Sequence, residues 1–335
     1  MSLLSVEHVS HAYPTTAGGR PVLDNVSLEL EPASVLAVVG ESGCGKTTLG
    51  RLIVGLVPPA GGSVCYEGHD VWGLSRPEFK RYRRSVQLVH QDPYGSLNPG
   101  LTVGESLAAG LRYHGVVPRR EVPTEVVRLL ELVGLEHSGT FLQRYPHELS
   151  GGQRQRLVVA RALALRPKLV VADEAVSMLD VSLRVSLLDL LLSVGAQYRI
   201  GYVFISHDLG VVRYFAQGGR IIVLFFGVVV ETGSVDEVIA HPRHPYTYLL
   251  LEAIPIADPR QARRVRSEAS RVATERIQAP PTVDGCVFAH RCPFARDRCR
   301  TTRPPLTEVG TGSGHWSACW FPEEVPDLAL VAARG

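Results

Sequence analysis

The run Gly40-Glu41-Ser42-Gly43-Cys44-Gly45-Lys46-Thr47 limits what this chain can fold into more than any other segment, because it fits G-x-x-x-x-G-K-[ST]. The short apolar stretch Val35 to Val39 precedes it and suits a buried parallel strand, and a helix is expected from Lys46 to about Leu56. Strand, glycine loop and helix together wrap backbone around a phosphate. The glycines let the chain come close, while loop N–H groups and the helix N-terminus supply partial positive charge. Lys46 is expected to reach the β- and γ-phosphates of a nucleotide, and Thr47, followed by Thr48, to ligate Mg²⁺. Cys44 reads as a small loop residue and not as a nucleophile. Such a loop says only NTPase; GTPases, kinases, helicases and transporter ATPases all carry one.

The 335 residues suit one large domain plus a smaller appendage. A formal net charge of +2 argues against a nucleic-acid partner, which calls for a strongly basic surface. The N-terminal residues lack the basic and apolar regions of a signal peptide. The most apolar run, Ile221 to Val230, is about half the length that spans a bilayer and reads as a strand pair or sheet edge. Membrane association is therefore expected to come through a partner.

Residues 3–9 and 26–30 alternate as edge strands do, and further strands are expected at Leu169 to Ala172 and Tyr202 to Ile205, with a helix near 182–198 between them. Val126, Leu129, Leu130 and Val133 recur at helical spacing, Leu157 to Leu165 reads as another helix, and residues 105–165 are mostly helical in pattern. The sum is an α/β fold, a P-loop NTPase core with a parallel sheet and an inserted helical subdomain. From Asp258 to Arg276 the chain is arginine-rich and reads as a solvated linker, after which Pro280-Pro281 opens a short cysteine-containing module.

Leu149-Ser150-Gly151-Gly152-Gln153 is a second glycine turn before a helix expected to begin near Arg154, and so a second surface that suits phosphate. This pentapeptide, continuing through Arg154-Gln155-Arg156, resembles the signature of the ABC ATPases. In that family two nucleotide-binding domains pair head to tail, and the signature of one closes over the ATP of the other. The resemblance implies ATP-binding roles for Ser150, Gly151, Gly152 and Gln153, and a partner ATPase subunit, paralogue or identical copy. Leu169 to Glu174 resembles the Walker B strand, which implies that Asp173 holds Mg²⁺ through water and that Glu174 polarises the attacking water. Ser177-Met178-Leu179-Asp180 resembles the D-loop, with Asp180 coupling the two sites. His207 matches the switch histidine on the γ-phosphate, Gln91 the Q-loop glutamine that touches Mg²⁺ and senses the membrane partner, and Tyr13 the aromatic that stacks on adenine. Ala175-Val176 and Met178 depart from the Pro-Thr and Ala of many relatives, beside the catalytic residues and without replacing them. The compact segment from Gln91 to Ser150 differs from the long coiled coil of DNA-repair relatives.

Gln91-Asp92-Pro93-Tyr94-Gly95-Ser96-Leu97-Asn98-Pro99 and His241-Pro242-Arg243-His244-Pro245-Tyr246-Thr247 are similar to the Q-loop and C-terminal opening of oligopeptide and dipeptide importers; relatives import nickel, glutathione or oligosaccharides. The implied organisation is a nucleotide-binding domain over residues 1–240, its helical subdomain at about 92–165, and a C-terminal extension over 241–335. Implied partners are two transmembrane permease subunits and an extracytoplasmic solute-binding protein, with the chain peripheral on the cytoplasmic face of the cell membrane. A soluble, non-transport ABC module is the rival class. Cys286, Cys292, Cys299 and Cys319 supply four thiols that suit Zn²⁺ or an iron–sulfur cluster, with free or paired cysteines as the third reading. Their wide, irregular spacing and Pro293 favour a 4Fe–4S cubane, which the resemblance also suggests, as a structural staple.

Overall fold

The computed structural model describes residues 2–14, 20–135, 138–253 and 284–327. Strands β1 (Leu4–His11) and β2 (Leu23–Leu30) pair antiparallel, and β3 (Val35–Val39) then runs into the glycine loop and α1 (Lys46–Ile53). Next come β4 (Gly61–Tyr66), β5 (His69–Asp70), α2 (Arg76–Ser85) and β6 (Val86–Val89). A helical stretch follows, with α3 (Pro93–Ser96), α4 (Val103–His114), α5 (Val122–Leu132), α6 (Ser138–Leu142) and α7 (Gly151–Leu163). Then β7 (Leu169–Asp173), α8 (Val181–Tyr198), β8 (Gly201–Ser206) and α9 (Leu209–Phe215) lead into the hairpin β9 (Arg220–Phe225) and β10 (Val228–Ser234). Helices α10 (Val235–Ala240), α11 (Pro245–Glu252) and α12 (Asp297–Thr301) and the short strands β11 (Thr307–Glu308) and β12 (Trp316–Ser317) complete the described elements.

The larger sheet has the order β11-β12-β10-β9-β3-β8-β7-β6, and the smaller β2-β1-β4-β5. The run β9-β3-β8-β7-β6 is parallel throughout, as the expected α/β core requires. Its strands are apolar on both faces because both are covered. Leu36 and Val38 of β3, with Val203 and Ile205 of β8, point toward α1 and the smaller sheet. Ala37 and Val39, with Tyr202 and Phe204, point the other way, toward α7 and α8. Period-two alternation thus sends successive residues into two separate cores.

Local signals set the helix ends. The helix after the glycine loop stops at Ile53, short of Leu56, because Gly55 adopts φ 67°. The signature helix begins at Gly151, three residues ahead of the expectation, because Ser150 is its N-cap. Helix α4 carries a complete capping box, Thr102 with Glu105. By length and composition α8 is the described helix apolar enough to cross a membrane; it packs Leu187, Leu188, Leu191 and Val194 into the core beside the sheet.

The C-terminal residues are sewn to this core. Strand β12 pairs with β10, Glu231 opposite Ser317 and Thr232 opposite Trp316. Phe288, Cys286, Cys292 and Cys299 belong to the main core cluster, so the module does not depend on a core of its own. The arginine-rich stretch expected to be a linker, 258–276, lies outside the described residues.

Candidate nucleotide site

The parallel sheet delivers the functional side chains at the C-terminal ends of neighbouring strands, where open α/β sheets bind ligands. From β3 comes the glycine loop. A Cβ on Gly40 would lie 2.1 Å from the carbonyl oxygen of Leu224, and Gly45 holds φ 109°, so these two positions tolerate only glycine. Lys46 is buried, and its Nζ donates to the carbonyl oxygens of Gly40 (2.7 Å) and Glu41 (2.9 Å). Burial pushes the Cys44 thiol up against the pull of nearby Lys46, consistent with an inert loop residue.

The Thr47 hydroxyl donates to Asp173 Oδ1 at 3.3 Å, bringing α1 onto the end of β7. Burial raises the Asp173 carboxyl and the Glu174 charge pushes the same way, while the Thr47 hydrogen bond opposes them. A hydroxyl and a carboxylate converging at a phosphate loop are the hard oxygen donors that Mg²⁺ takes. Glu174 follows in the left-handed region, φ 48°, held by its N–H to Ile205 O (3.0 Å) and by Ser177, whose N–H (3.1 Å) and hydroxyl (2.9 Å) donate to its carbonyl. Backbone of this kind costs about 1–3 kcal/mol in a non-glycine residue and clusters at functional sites. It turns the carboxylate toward His207 beyond β8, Oε1 to Nδ1 being 3.2 Å. Gln91 follows β6 and is exposed; the preceding His90 carbonyl accepts from the buried Gln155 of α7 at 3.3 Å.

Strand ends β3, β8, β7 and β6 therefore present Lys46 and Thr47, His207, Asp173 and Glu174, and Gln91 along one edge. The Tyr13 hydroxyl lies 3.3 Å from Thr48 Oγ1, and its ring stands edge-on to His11. Ser150 caps α7 by accepting from Gln153 N–H at 3.3 Å, and the Gln153 side chain accepts from Ser150 N–H at 3.0 Å. Asp180 caps α8 through Leu183 N–H at 3.0 Å. Among the described residues no hydrogen bond or ion pair joins Ser150, Gly151, Gly152 or Gln153 to the glycine loop of the same chain.

Three further residues, to which the sequence assigns no role at the site, tie the C-terminal residues to the glycine loop and to β10. The Tyr246 hydroxyl accepts from Glu41 N–H at 2.7 Å, and Arg291 grips the Glu41 carboxylate with both terminal nitrogens, at 2.8 and 2.9 Å. Glu231, fully buried, accepts from Arg243 N–H, His244 N–H and His315 Nε2 at 2.6, 3.0 and 2.7 Å, joining β10 to both ends of the extension.

Cys286, Cys292, Cys299 and Cys319 line one cavity with His244, Phe288 and Trp320, and none forms a disulfide. Burial raises the Cys286 thiol and pushes Cys292 and Cys319 up to about 12, with the neighbouring thiols adding to the effect. Among the described residues no three His, Cys, Asp or Glu side chains close on one point as a single metal ion requires. Four thiols are nonetheless a fitting donor set for an iron–sulfur group.

Sheet order, glycine loop and strand-end carboxylates define a P-loop ATPase. Residues 23–177 match the ABC transporter family, and residues 230–299 match the oligopeptide/dipeptide transporter C-terminal region. The chain is 43% identical over 317 residues to a putative peptide import ATP-binding protein of Brucella ovis, covering 95% of this chain and 97% of that one. It is 42% identical over 285 residues to the oligopeptide transport ATP-binding protein OppF of Salmonella typhimurium, covering 85% and 84%. Among solved structures, CbiO1 of Clostridium perfringens, part of an ABC transporter complex, superposes with a TM-score of 0.63 at 26% identity, over 71% of this chain and 91% of that one. An ATP-binding cassette dimer in a post-hydrolysis state, bound to ADP and Pi, superposes with a TM-score of 0.62 at 28% identity, over 69% and 98%. The chain belongs to the ATP-binding proteins of the ABC transporter family, in the branch that carries the oligopeptide/dipeptide transporter C-terminal region.

Proposed function

We propose that this chain is the ATP-hydrolysing subunit of an importer for oligopeptides or dipeptides, seated peripherally on the cytoplasmic face of the cell membrane. The observation that carries the reading is the row of Lys46, Thr47, Asp173, Glu174, His207 and Gln91 along adjacent strand ends, in a chain that also carries the extension. The names of its relatives support the peptide class. Its partners are a second ATPase subunit, two transmembrane permease subunits and an extracytoplasmic solute-binding protein. Residues 1–240 form the nucleotide-binding unit, about 92–165 its helical part, and 241–335 the extension.

Tyr13 stacks on the adenine, and Gly40 to Thr48 cradle the phosphates, Lys46 turning from the loop carbonyls to the β- and γ-oxygens. Thr47, Asp173 and Gln91 would hold Mg²⁺, which when bound neutralises phosphate charge. Ser150, Gly151, Gly152 and Gln153 present a capped helix N-terminus to the ATP of the partner subunit. No hydrogen bond or ion pair among the described residues ties them to the loop of the same chain, which leaves them available for that role. Closure brings Asp180 of each subunit to the shared interface. Glu174 takes a proton from the attacking water, and His207 orients Glu174 and contacts the γ-phosphate. Arg154 lies over the Tyr94 ring at 4.1 Å, which ties the signature helix to the loop after Gln91 and offers closure a route to the permease.

Cys286, Cys292, Cys299 and Cys319 would hold a 4Fe–4S cluster whose role is structural. A tetrahedral zinc site draws its sulfurs to about 3.8 Å of one another, a convergence that no three candidate ligands among the described residues reach; the number and irregular spacing of the four cysteines are what support the cluster reading. Anaerobically purified protein is expected to be brown, with roughly four irons per chain; colourless, zinc-containing protein rejects the cluster. For the transport reading, the test is ATPase activity of the reconstituted complex with its solute-binding protein, against peptides and oligosaccharides. Stimulation by peptides alone is expected. Stimulation by sugars alone keeps the ATPase mechanism and removes the peptide assignment.

A further inference from the structure

The extension reaches into the nucleotide site at one residue, Glu41, the second of the phosphate loop. A carboxylate there borders the ground that a triphosphate occupies, and left free it would repel the ligand. Arg291 meets it with a two-pronged contact, 2.8 and 2.9 Å, and is itself mostly shielded, its side chain 13% exposed. The guanidinium lies near the rings of Phe225 and Phe288, 5.8 and 5.7 Å from their centroids, which hold it in place. Tyr246, from the opening helix of the extension, fixes the backbone of the same residue through its hydroxyl, and its ring packs on Phe225 and Phe288. Two distant segments therefore grip one loop residue, one by charge and one by its N–H.

The geometry points to Arg291 and Tyr246 as positioning residues for the phosphate loop: Arg291 neutralises Glu41 and draws its carboxylate aside, and Tyr246 sets the backbone leading into Ser42 and Gly43. The C-terminal extension is thereby a determinant of nucleotide affinity as well as a transporter-class appendage. Arg291 stands between Cys286 and Cys292, so the packing of the four-thiol cavity sets where the guanidinium lies.

This inference rests on the reading that Gly40 to Thr48 bind ATP, and the experiment separates the two. ATP affinity would be measured by calorimetry on the full chain, with steady-state kcat and KM alongside. Wild-type protein that binds no ATP overturns the underlying reading. Given wild-type binding, R291A is expected to weaken ATP about tenfold, the order set by one unscreened charge at short range. KM should rise in step while kcat at saturation stays within about twofold. R291K should recover part of the loss, since it restores charge without the fork. The double variant R291A/E41Q should recover affinity to within about threefold of wild type, because no orphan carboxylate remains. A merely structural role would leave that double variant as weak as R291A. Wild-type affinity in R291A, or no recovery in R291A/E41Q, overturns the assignment. Should R291A not fold, Y246F carries the test: it deletes only the hydroxyl and is expected to weaken ATP about threefold through an unpaired N–H, and unchanged affinity there counts against the proposal.

Discussion

Glu174 Oε1 lies 3.2 Å from His207 Nδ1 across the ends of β7 and β8. The pair depends on strand register, since Asp173 stands opposite Ile205 in the parallel ladder and each chain turns out of the sheet just beyond. The left-handed backbone of Glu174 then points its carboxylate across to the neighbouring strand and not along its own.

The amide in E174Q keeps the size of the side chain and removes its basicity. Nucleotide binding is expected to stay close to wild type. Turnover should fall by about a hundredfold or more, the usual contribution of a positioned general base. Phosphate release measured beside an ATP titration checks both halves. Turnover at the wild-type rate takes the base role away from Glu174.

Ser150 has one observed role, the cap of α7, and one proposed role, at the partner's ATP, and a pair of variants separates them. Its hydroxyl caps α7, so S150A should cost about 1 kcal/mol in urea unfolding. S150D keeps a capping acceptor and should restore that stability, yet it sets a negative charge where the partner's ATP must approach. ATP-dependent dimerisation, followed by light scattering in an E174Q background, should be lost in S150D. A stable S150D that still dimerises would leave Ser150 with the cap alone.

The site was largely legible in the sequence because its parts sit at the ends of doubly buried strands. Val35 to Val39, Leu169 to Ala172 and Tyr202 to Ile205 are apolar without interruption, and the chemistry follows each run directly. β4, β5 and β6 were not legible. β4 opens on two glycines, β5 has two residues, and β6 has four pressed against the end of α2, too few for any period to register. The grip on Glu41 was hidden for another reason. Tyr246 and Arg291 lie 205 and 250 positions away, and no local pattern records a contact made by folding.

Glu231, itself fully buried, fastens the extension to β10 by accepting two backbone N–H groups and the buried His315 Nε2. E231A would strand those donors in the core and is expected to destabilise the protein by about 3 kcal/mol. E231Q should cost less, since its amide oxygen still accepts. Urea midpoints of the three proteins test the order. A loss under about 1 kcal/mol in E231A would mean that strand pairing holds the extension without the carboxylate.

His244 gives the fold a pH dependence whose direction can be worked out. The ring is buried, its Nδ1 accepts from Tyr246 N–H at 3.1 Å, and burial lowers its pKa to about 3. The unfolded chain protonates this residue near its ordinary value, about 6.5. Between these two values the unfolded state binds the extra proton, so stability is whole above about pH 6.5 and is lost as pH falls, by at most about 1.4 kcal/mol per pH unit from this one group. H244N retains an acceptor for the Tyr246 N–H and has nothing to titrate. At pH 7.5 the wild type should be the more stable, because imidazole packs better against Phe288 than a smaller amide. Toward pH 5 its lead over H244N should shrink or reverse. Urea unfolding of both proteins at half-unit pH intervals reads the difference directly. Parallel curves across that window would mean that His244 is reached by solvent before the chain unfolds.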